Sequence, residues 1–250
     1  MGRLDELVAV VTGAASGFGR GIAEAFASEG AKVVIADLDG ERAEAAAAAI
    51  GGQAIAVRGD VTKRTDVERF IDAAVGQFGR LDIVVNNAGT THTNKPALEV
   101  TEAEFDRIYA VNVKSIYLMT LAAVPAMEKQ GGGVIINTAS TAGIRPRPGL
   151  TWYNGSKGAV ITLTKSLSAE LAPKKIRVNA INPVIGETGM LESFMGRPDT
   201  PENREKFVAT IPLGRMSRPS DIANAAVFLA DPASEFITGV ALEVDGGRCV

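Results

Sequence analysis

Seven short runs rich in apolar and β-branched residues alternate with helix-forming runs along the whole chain, and this alternation restricts the fold more than any other feature. The runs are LVAVVTG (7–13), KVVIAD (32–37), QAIAVRGD (53–60), DIVVNNAG (82–89), GVIINTAS (133–140), IRVNAINP (176–183) and GVALEVDGG (239–247). Several are apolar almost throughout rather than at every second residue, which is the pattern of strands buried on both faces of a parallel sheet. Helices are expected between them, over 19–29, 40–50, 65–78, 101–129, 151–172 and 220–230. Ile22 and Phe26, four apart, should face the sheet. Thr101 with Glu104 fits a capping box, and Pro125 is expected to kink or end the fourth helix. Strict alternation of this kind predicts an α/β fold: one doubly wound parallel sheet of about seven strands, flanked by helices and built from right-handed crossovers.

The 250 residues show no linker rich in Pro, Gly or Ser and no internal repeat, so a single domain, 1–250, is expected. One stretch breaks the rhythm, GETGMLESFMGRPDTPENREKFVATIPLGRMS (186–217), and its length predicts a movable cover over a substrate. Aromatics make up only 5% of a chain that is rich in Gly and Ala, a composition suited to close helix–sheet contacts. A net charge of −3 argues against binding to nucleic acid or an anionic membrane. No unbroken apolar run approaches the roughly 18–20 residues of a membrane span. The start, MGRLDELVAVVTGAASG, lacks the positive flank and long apolar core of a signal peptide. The single cysteine, Cys249, has no partner for an intramolecular disulfide. A cytoplasmic location is therefore expected. No His/Cys/Asp cluster has metal-ligand spacing, so no metal is expected.

The first strand runs into TGAASGFGRG (12–21). Gly13, Gly17 and Gly19 allow a tight turn and bring bare backbone, with Ser16 and Phe18, close to a pyrophosphate at the start of a helix. The second strand ends at Asp37, 18 residues after Gly19, where an acid accepts from the adenosine ribose hydroxyls and repels a 2′-phosphate. Ala15 and Leu38 occupy the positions where a 2′-phosphate would want a basic residue, and the nearest candidate, Arg42, is already inside the helix. NAD is thus preferred over NADP as cofactor. Asp60 and Val61 close the third strand on the side expected for adenine.

At the other end, Asn87, Ala88 and Gly89 end the fourth strand, Asn112 lies within the long helix, and Ser140 ends the fifth strand. In TWYNGSKGAV (151–160), Tyr153 and Lys157 are four apart and share a helix face. If that helix packs beside the end of the fifth strand, Ser140, Tyr153 and Lys157 converge. A phenol titrates near pH 10, too high for an efficient base at neutral pH, and an adjacent ammonium lowers it. Lys157 can do this while donating to a ribose hydroxyl, and Ser140 can bond the substrate oxygen.

The order and spacing of these motifs resemble the classical short-chain dehydrogenase/reductase family over nearly the full chain. TGAASGFG stands for its T-G-x-x-x-G-x-G and NNAG (86–89) for its N-N-A-G, and Ser140 lies thirteen residues before the Y-x-x-x-K of Tyr153 and Lys157. The resemblance implies a Rossmann sheet and hydride transfer with Tyr153 as acid/base. It makes Lys157 the residue that positions ribose and lowers the tyrosine pKa, Ser140 the one that orients substrate, and Asn112 the holder of a water in a proton relay. The family's P-G-x-I/V-x-T becomes PVIGET (183–188) here. Val184 replaces the glycine, Gly186 takes the branched position, and Pro183, Gly186 and Thr188 are the candidates for cofactor contact. A homotetramer is implied as well, with the Tyr153 helix and the last strand at its interfaces.

The expected function is NAD-dependent interconversion of a secondary alcohol and its ketone, with polyols, sugars and cyclic alcohols as small-molecule candidates. A 3-oxoacyl thioester reductase is the alternative, and a non-catalytic NAD-binding sensor or scaffold is the alternative of another class. The substrate pocket is expected to draw on Met190, Leu191, Phe194 and Met195 of the cover and on Ile144, Arg145, Arg147, Leu150 and Trp152. His92, the only histidine, is read as a loop or pocket-wall residue.

Overall fold

The computed structural model describes residues 2–250. Its seven strands are β1 (Val8–Thr12), β2 (Lys32–Asp37), β3 (Ala54–Arg58), β4 (Ile83–Asn86), β5 (Gly133–Thr138), β6 (Ile176–Pro183) and β7 (Ala241–Val244). They form one sheet in the order β3-β2-β1-β4-β5-β6-β7, and every pairing is parallel. The helices are α1 (Gly17–Ser28), α2 (Gly40–Ile50), α3 (Arg64–Phe78), α4 (Glu102–Tyr109), α5 (Ser115–Lys129), α6 (Thr151–Leu171), α7 (Leu191–Met195), α8 (Pro201–Val208) and α9 (Pro219–Ala230). Together they make the doubly wound Rossmann architecture that the alternation predicts.

The unbroken apolar runs follow from two covered faces. Ala9 and Val11 of β1 pack with α1, α2 and α9, while Val8 and Val10 pack on the opposite side with α3 and α5, and all four are fully buried. Burying each such valine contributes about 1.5–3 kcal/mol, so a polar residue at either parity would be selected against. A third, smaller cluster joins Val160 of α6 to Ala180 of β6 and places the Tyr153 helix against the sheet.

Three expectations change. The stretch 101–129 is not one α-helix. The expected capping box of Thr101 and Glu104 opens α4, but a π-helical turn, Ala110–Lys114, separates α4 from α5. Pro125 lies inside α5 without ending it. Taken as one continuous rod, Glu102–Lys129 has an 18-residue window of mean hydropathy 1.3, long and apolar enough to cross a membrane by length and composition. Charged residues such as Lys114 interrupt it, so it is not an unbroken apolar run, and 44% of that window is buried inside the fold. Finally, several strands are shorter than their runs, most of all the fourth, 83–86 rather than 82–89, and the last, 241–244 rather than 239–247.

The segment 186–217 carries structure of its own. Thr200 caps α8 by accepting from the Asn203 amide at 3.3 Å. Leu191 and Met195, on one side of α7, bury against Met216.

Candidate active site

The sheet order reverses between β1 and β4, so their connections leave in opposite directions and open a crevice at the carboxyl ends of the strands. Both strands stop short of their motifs: β1 ends at Thr12 and β4 at Asn86, leaving the glycine loop and Asn87–Gly89 free to line that crevice. Thr12 ties the two loops together. Its Oγ1 accepts from the amides of Asn87 (3.0 Å) and Ala88 (3.1 Å) and donates to the Val85 carbonyl (3.3 Å). The Asn87 side chain returns a bond from Nδ2 to the Thr12 carbonyl at 2.9 Å. Sequence reasoning did not single out Thr12; its signal was a hydroxyl at the last sheet position before the turn.

Gly13 has φ +63°, and a Cβ there would stand 2.9 Å from Cα of Ala88. A Cβ at Gly19 would fall 2.3 Å from the Gly13 carbonyl oxygen, so both glycines are required by close packing. The side chain of Ser16, at the N-cap of α1, makes no bond to the first turn. The helix therefore meets the cleft with its amide end uncapped by this side chain, as an anion site requires. Asp37 closes the turn, Oδ2 accepting from the Ala15 amide (2.9 Å) and Oδ1 from the Asp39 amide (3.0 Å). It is thus a loop clamp that also lines the cleft. Asp60 holds its own turn, accepting from the amide and hydroxyl of Thr62 at 2.9 and 2.8 Å.

One cleft of about 510 Å³ joins the two ends. Of the cofactor candidates, all but Gly19 line it: Gly13, Ser16, Gly17, Phe18, Asp37 and Leu38, then Asp60, Val61, Asn87, Ala88 and Gly89, then Tyr153, Lys157, Pro183, Gly186 and Thr188. Gly19 lies buried beneath the loop. The residues present therefore fit a dinucleotide: an uncapped helix start, glycines where side chains would intrude, and an acid at the far end.

At the chemical end, Ser140, Tyr153 and Lys157 share the cleft. Lys157 Nζ donates to the Thr138 carbonyl at 2.7 Å and lies 5.8 Å from the centre of the Tyr153 ring. Burial pushes the Tyr153 phenol up to about 12, partly offset by a hydrogen bond with Ser140. Burial also pushes the Lys157 ammonium down to about 8. In the cofactor-free protein, desolvation of the phenolate is thus the larger effect on Tyr153. Ser140 Oγ accepts from the Ala142 amide at 3.1 Å.

Asn112 stands behind the cleft rather than in it. Oδ1 accepts from the Thr90 amide (2.8 Å), while Nδ2 donates to the Thr90 carbonyl (2.9 Å) and to Ser156 Oγ (3.0 Å). The amide side chain thus pins the loop after Gly89 to the Tyr153 helix.

The departure at PVIGET has a local cause. A Cβ on Gly186 would lie 2.3 Å from Cζ of Phe18, so the Phe18 ring occupies the space a branched residue would take. Gly186 pairs with Ser217 in an isolated parallel bridge, and Ser217 Oγ donates to the Val184 carbonyl at 3.1 Å.

The expected pocket residues divide. Met190 and Phe194 line the cleft, with the Phe194 ring 5.1 Å from that of Tyr153, whereas Leu191 and Met195 turn into the protein. Arg147 and Leu150 line the cleft; Ile144 and Arg145 are exposed outside it. Trp152 points away, donating to the Ala97 carbonyl at 3.2 Å and packing edge-on to Phe105. His92 is buried outside the cleft, with Nδ1 2.9 Å from the Thr93 carbonyl. Arg107 and Phe207 line the cleft without having been foreseen, since they come from the long helix and from the middle of the insertion.

A family model described as enoyl-(acyl carrier protein) reductase matches residues 13–248. The 4-formylbenzenesulfonate dehydrogenase TsaC1/TsaC2 of Comamonas testosteroni is 55% identical over 98% of both chains. The chain belongs to the short-chain dehydrogenase/reductase family. Another member, the 7alpha-hydroxysteroid dehydrogenase of Escherichia coli (strain K12), is 39% identical over 98% of this chain and 95% of its own. The crystal structure of 3-ketoacyl-(acyl-carrier-protein) reductase from Brucella melitensis complexed with NADH is 50% identical, with a TM-score of 0.94 over 99% of this chain and 100% of that one. Like its short-chain dehydrogenase/reductase relatives, this chain is an NAD(P)-dependent oxidoreductase acting between alcohol and carbonyl.

Proposed function

We propose that the protein is an NAD-dependent dehydrogenase of secondary alcohols, working reversibly, with residues 1–250 as one catalytic domain and 186–217 as the cover of its substrate site. The observation that carries this reading is the single cleft in which Asp37 and the glycine loop lie at one end and Ser140, Tyr153 and Lys157 at the other. When bound, NAD+ supplies the hydride acceptor and brings a positive ring beside the phenol. Tyr153 Oη takes the carbinol proton as the C–H bond breaks, and returns it in the reverse direction. With burial holding Tyr153 up at about 12, the phenolate is favoured only once positive charge is gathered round it, and Lys157 is the protein's own contribution to that charge. Ser140 donates to the substrate oxygen. Asn112 holds the loop carrying Gly89 and so positions the ribose side of the cleft.

Asp37 favours NAD over NADP, and the NADH in the Brucella relative agrees with this. The names of the relatives, one for a formylbenzenesulfonate and one for a hydroxysteroid, support oxidation at an oxygen-bearing carbon. A second reading, reduction of a 3-oxoacyl thioester, draws on the name of the same Brucella relative. A homotetramer is part of the proposal: β7 is an open sheet edge, and Tyr117 and Leu121 stand outward on α5. So is a reducing cytoplasmic setting, where Cys249, whose thiol is pushed up to about 11 by burial and by Asp245, stays protonated.

NADH formation across a panel of secondary alcohols, with NAD+ and NADP+ in parallel, tests the reading. Turnover with NAD+ is expected to fall by about 100-fold or more in Tyr153→Phe while NADH binding persists. Silence with alcohols beside reduction of acyl thioesters would move the assignment to the second reading.

A further inference from the structure

The substrate end of the cleft carries a cation without a counter-ion. Arg147 lines the cleft, yet among the described residues it forms no ion pair. Among the described residues, the only acids lining the cleft are Asp37 and Asp60, both at the glycine-loop end. A guanidinium has five N–H donors. Here the one bond recorded for them runs from Nη2 to Thr210 Oγ1 at a weak 3.3 Å. The planar group stacks over Phe207, its central carbon 4.8 Å from the ring centre, so its orientation is fixed while its donors stay free. Phe207 belongs to α8, within the cover, so Arg147 sits where the loop after β5 meets that cover.

Its neighbours raise the local positive charge further. Arg145 Nη1 donates to the Arg248 carbonyl at 2.6 Å, which holds three arginines in one neighbourhood. Arg248 is buried, with Nε and Nη1 lacking any hydrogen-bond partner. Burial and then the charges of Arg248 and Arg145 push the Arg147 guanidinium down to about 10. Among the described residues, none of the 29 acids of the sequence forms an ion pair with this group. Desolvated charge left unpaired is costly, and the cost is recovered when the counter-ion arrives with a ligand. A planar arginine fork, stacked and pre-oriented, suits a carboxylate or sulfonate.

We propose that Arg147 is the specificity residue of the substrate site and that the substrate carries a carboxylate or sulfonate at the end remote from the carbinol carbon. This rests on the alcohol-dehydrogenase reading of the cleft.

The test uses a phenylethanol bearing a para-carboxylate beside its para-methyl analogue, with NAD+ and the full chain. The wild-type protein is expected to prefer the carboxylate in kcat/KM by about 10–100-fold, the scale of a charge-assisted hydrogen bond. Arg147→Gln is expected to remove at least tenfold of that preference, and Arg147→Lys, which keeps the charge but not the fork, to retain part of it. No preference in the wild type overturns the proposal. So does an Arg147→Gln variant that loses both substrates equally with a lowered Tm, which would make Arg147 a structural pin for α8. If neither alcohol turns over, the alcohol-dehydrogenase reading is what has failed. Calorimetric binding of para-methylbenzoate to the NADH-loaded protein then decides the anion site: at least tenfold weaker binding to Arg147→Gln supports it, and equal binding rejects it.

Discussion

Phe18 and Gly186 divide one volume between them, and each explains the other. A branched residue at 186 would meet the Phe18 ring and, at 2.8 Å, Ser217 Oγ. Gly186→Val is expected to cost about 1–3 kcal/mol through overpacking and to weaken NADH binding. Adding Phe18→Ile should restore most of both, and an unrecovered double variant would shift the cause to Ser217. Lys157 yields a second prediction at this scale. Its folded value, about 8, lies below the ordinary 10.5, so the folded protein binds fewer protons between the two. Lys157 therefore contributes stability above pH 10.5 that is lost as pH falls through about 8. Measured as the difference between wild type and Lys157→Met in urea, the cofactor-free protein should lose on the order of 3 kcal/mol across that window. A flat difference would mean that the bond to Thr138 fully compensates for burial.

At the scale of elements, the π turn at Ala110–Lys114 is the decisive irregularity. It falls in AVNVK, where two valines and an asparagine weaken the helix, and it sets the Asn112 amide against both backbone groups of Thr90. Asn112→Ala would leave those partly buried groups unpaired and is expected to cost about 1–3 kcal/mol. The denaturation midpoint reads the cost, and a rise in KM for NAD+ would show that the loop at Gly89 has moved. An unchanged midpoint would instead mean that water replaces the amide. A hydrophobic-period reading could find this helix but not its break, because a π turn inserts one residue without altering composition. The division of residues 190–195 into cleft-facing Met190 and Phe194 and core-facing Leu191 and Met195 was equally hidden, since all four are apolar.

For the whole molecule, one sheet reversal places two loops distant in sequence, 13–19 and 86–89, side by side, and the cleft follows from that topology. The open edge at β7 and the outward Tyr117 and Leu121 belong to the same scale. Light scattering at micromolar concentration is expected to give about four times the 26.0 kDa chain mass, and a monomer would rule out the tetramer.

The sequence by itself determined the sheet, because apolar runs without alternation, each set between helix-forming runs, fit doubly covered parallel strands. It also determined where the chemical groups sit along the chain, since glycines, Asp37, Ser140 and the Tyr153–Lys157 pair occupy strand ends and helix starts whose positions follow from local pattern. Tertiary structure alone decided which residues share a cleft, that Thr12 and Asn112 brace it, and that Trp152 turns away while Arg147 turns in. It also decided which way the titrations of Tyr153 and Lys157 move, the first up and the second down. Burial depends on what the rest of the chain removes from water, and no local pattern records that.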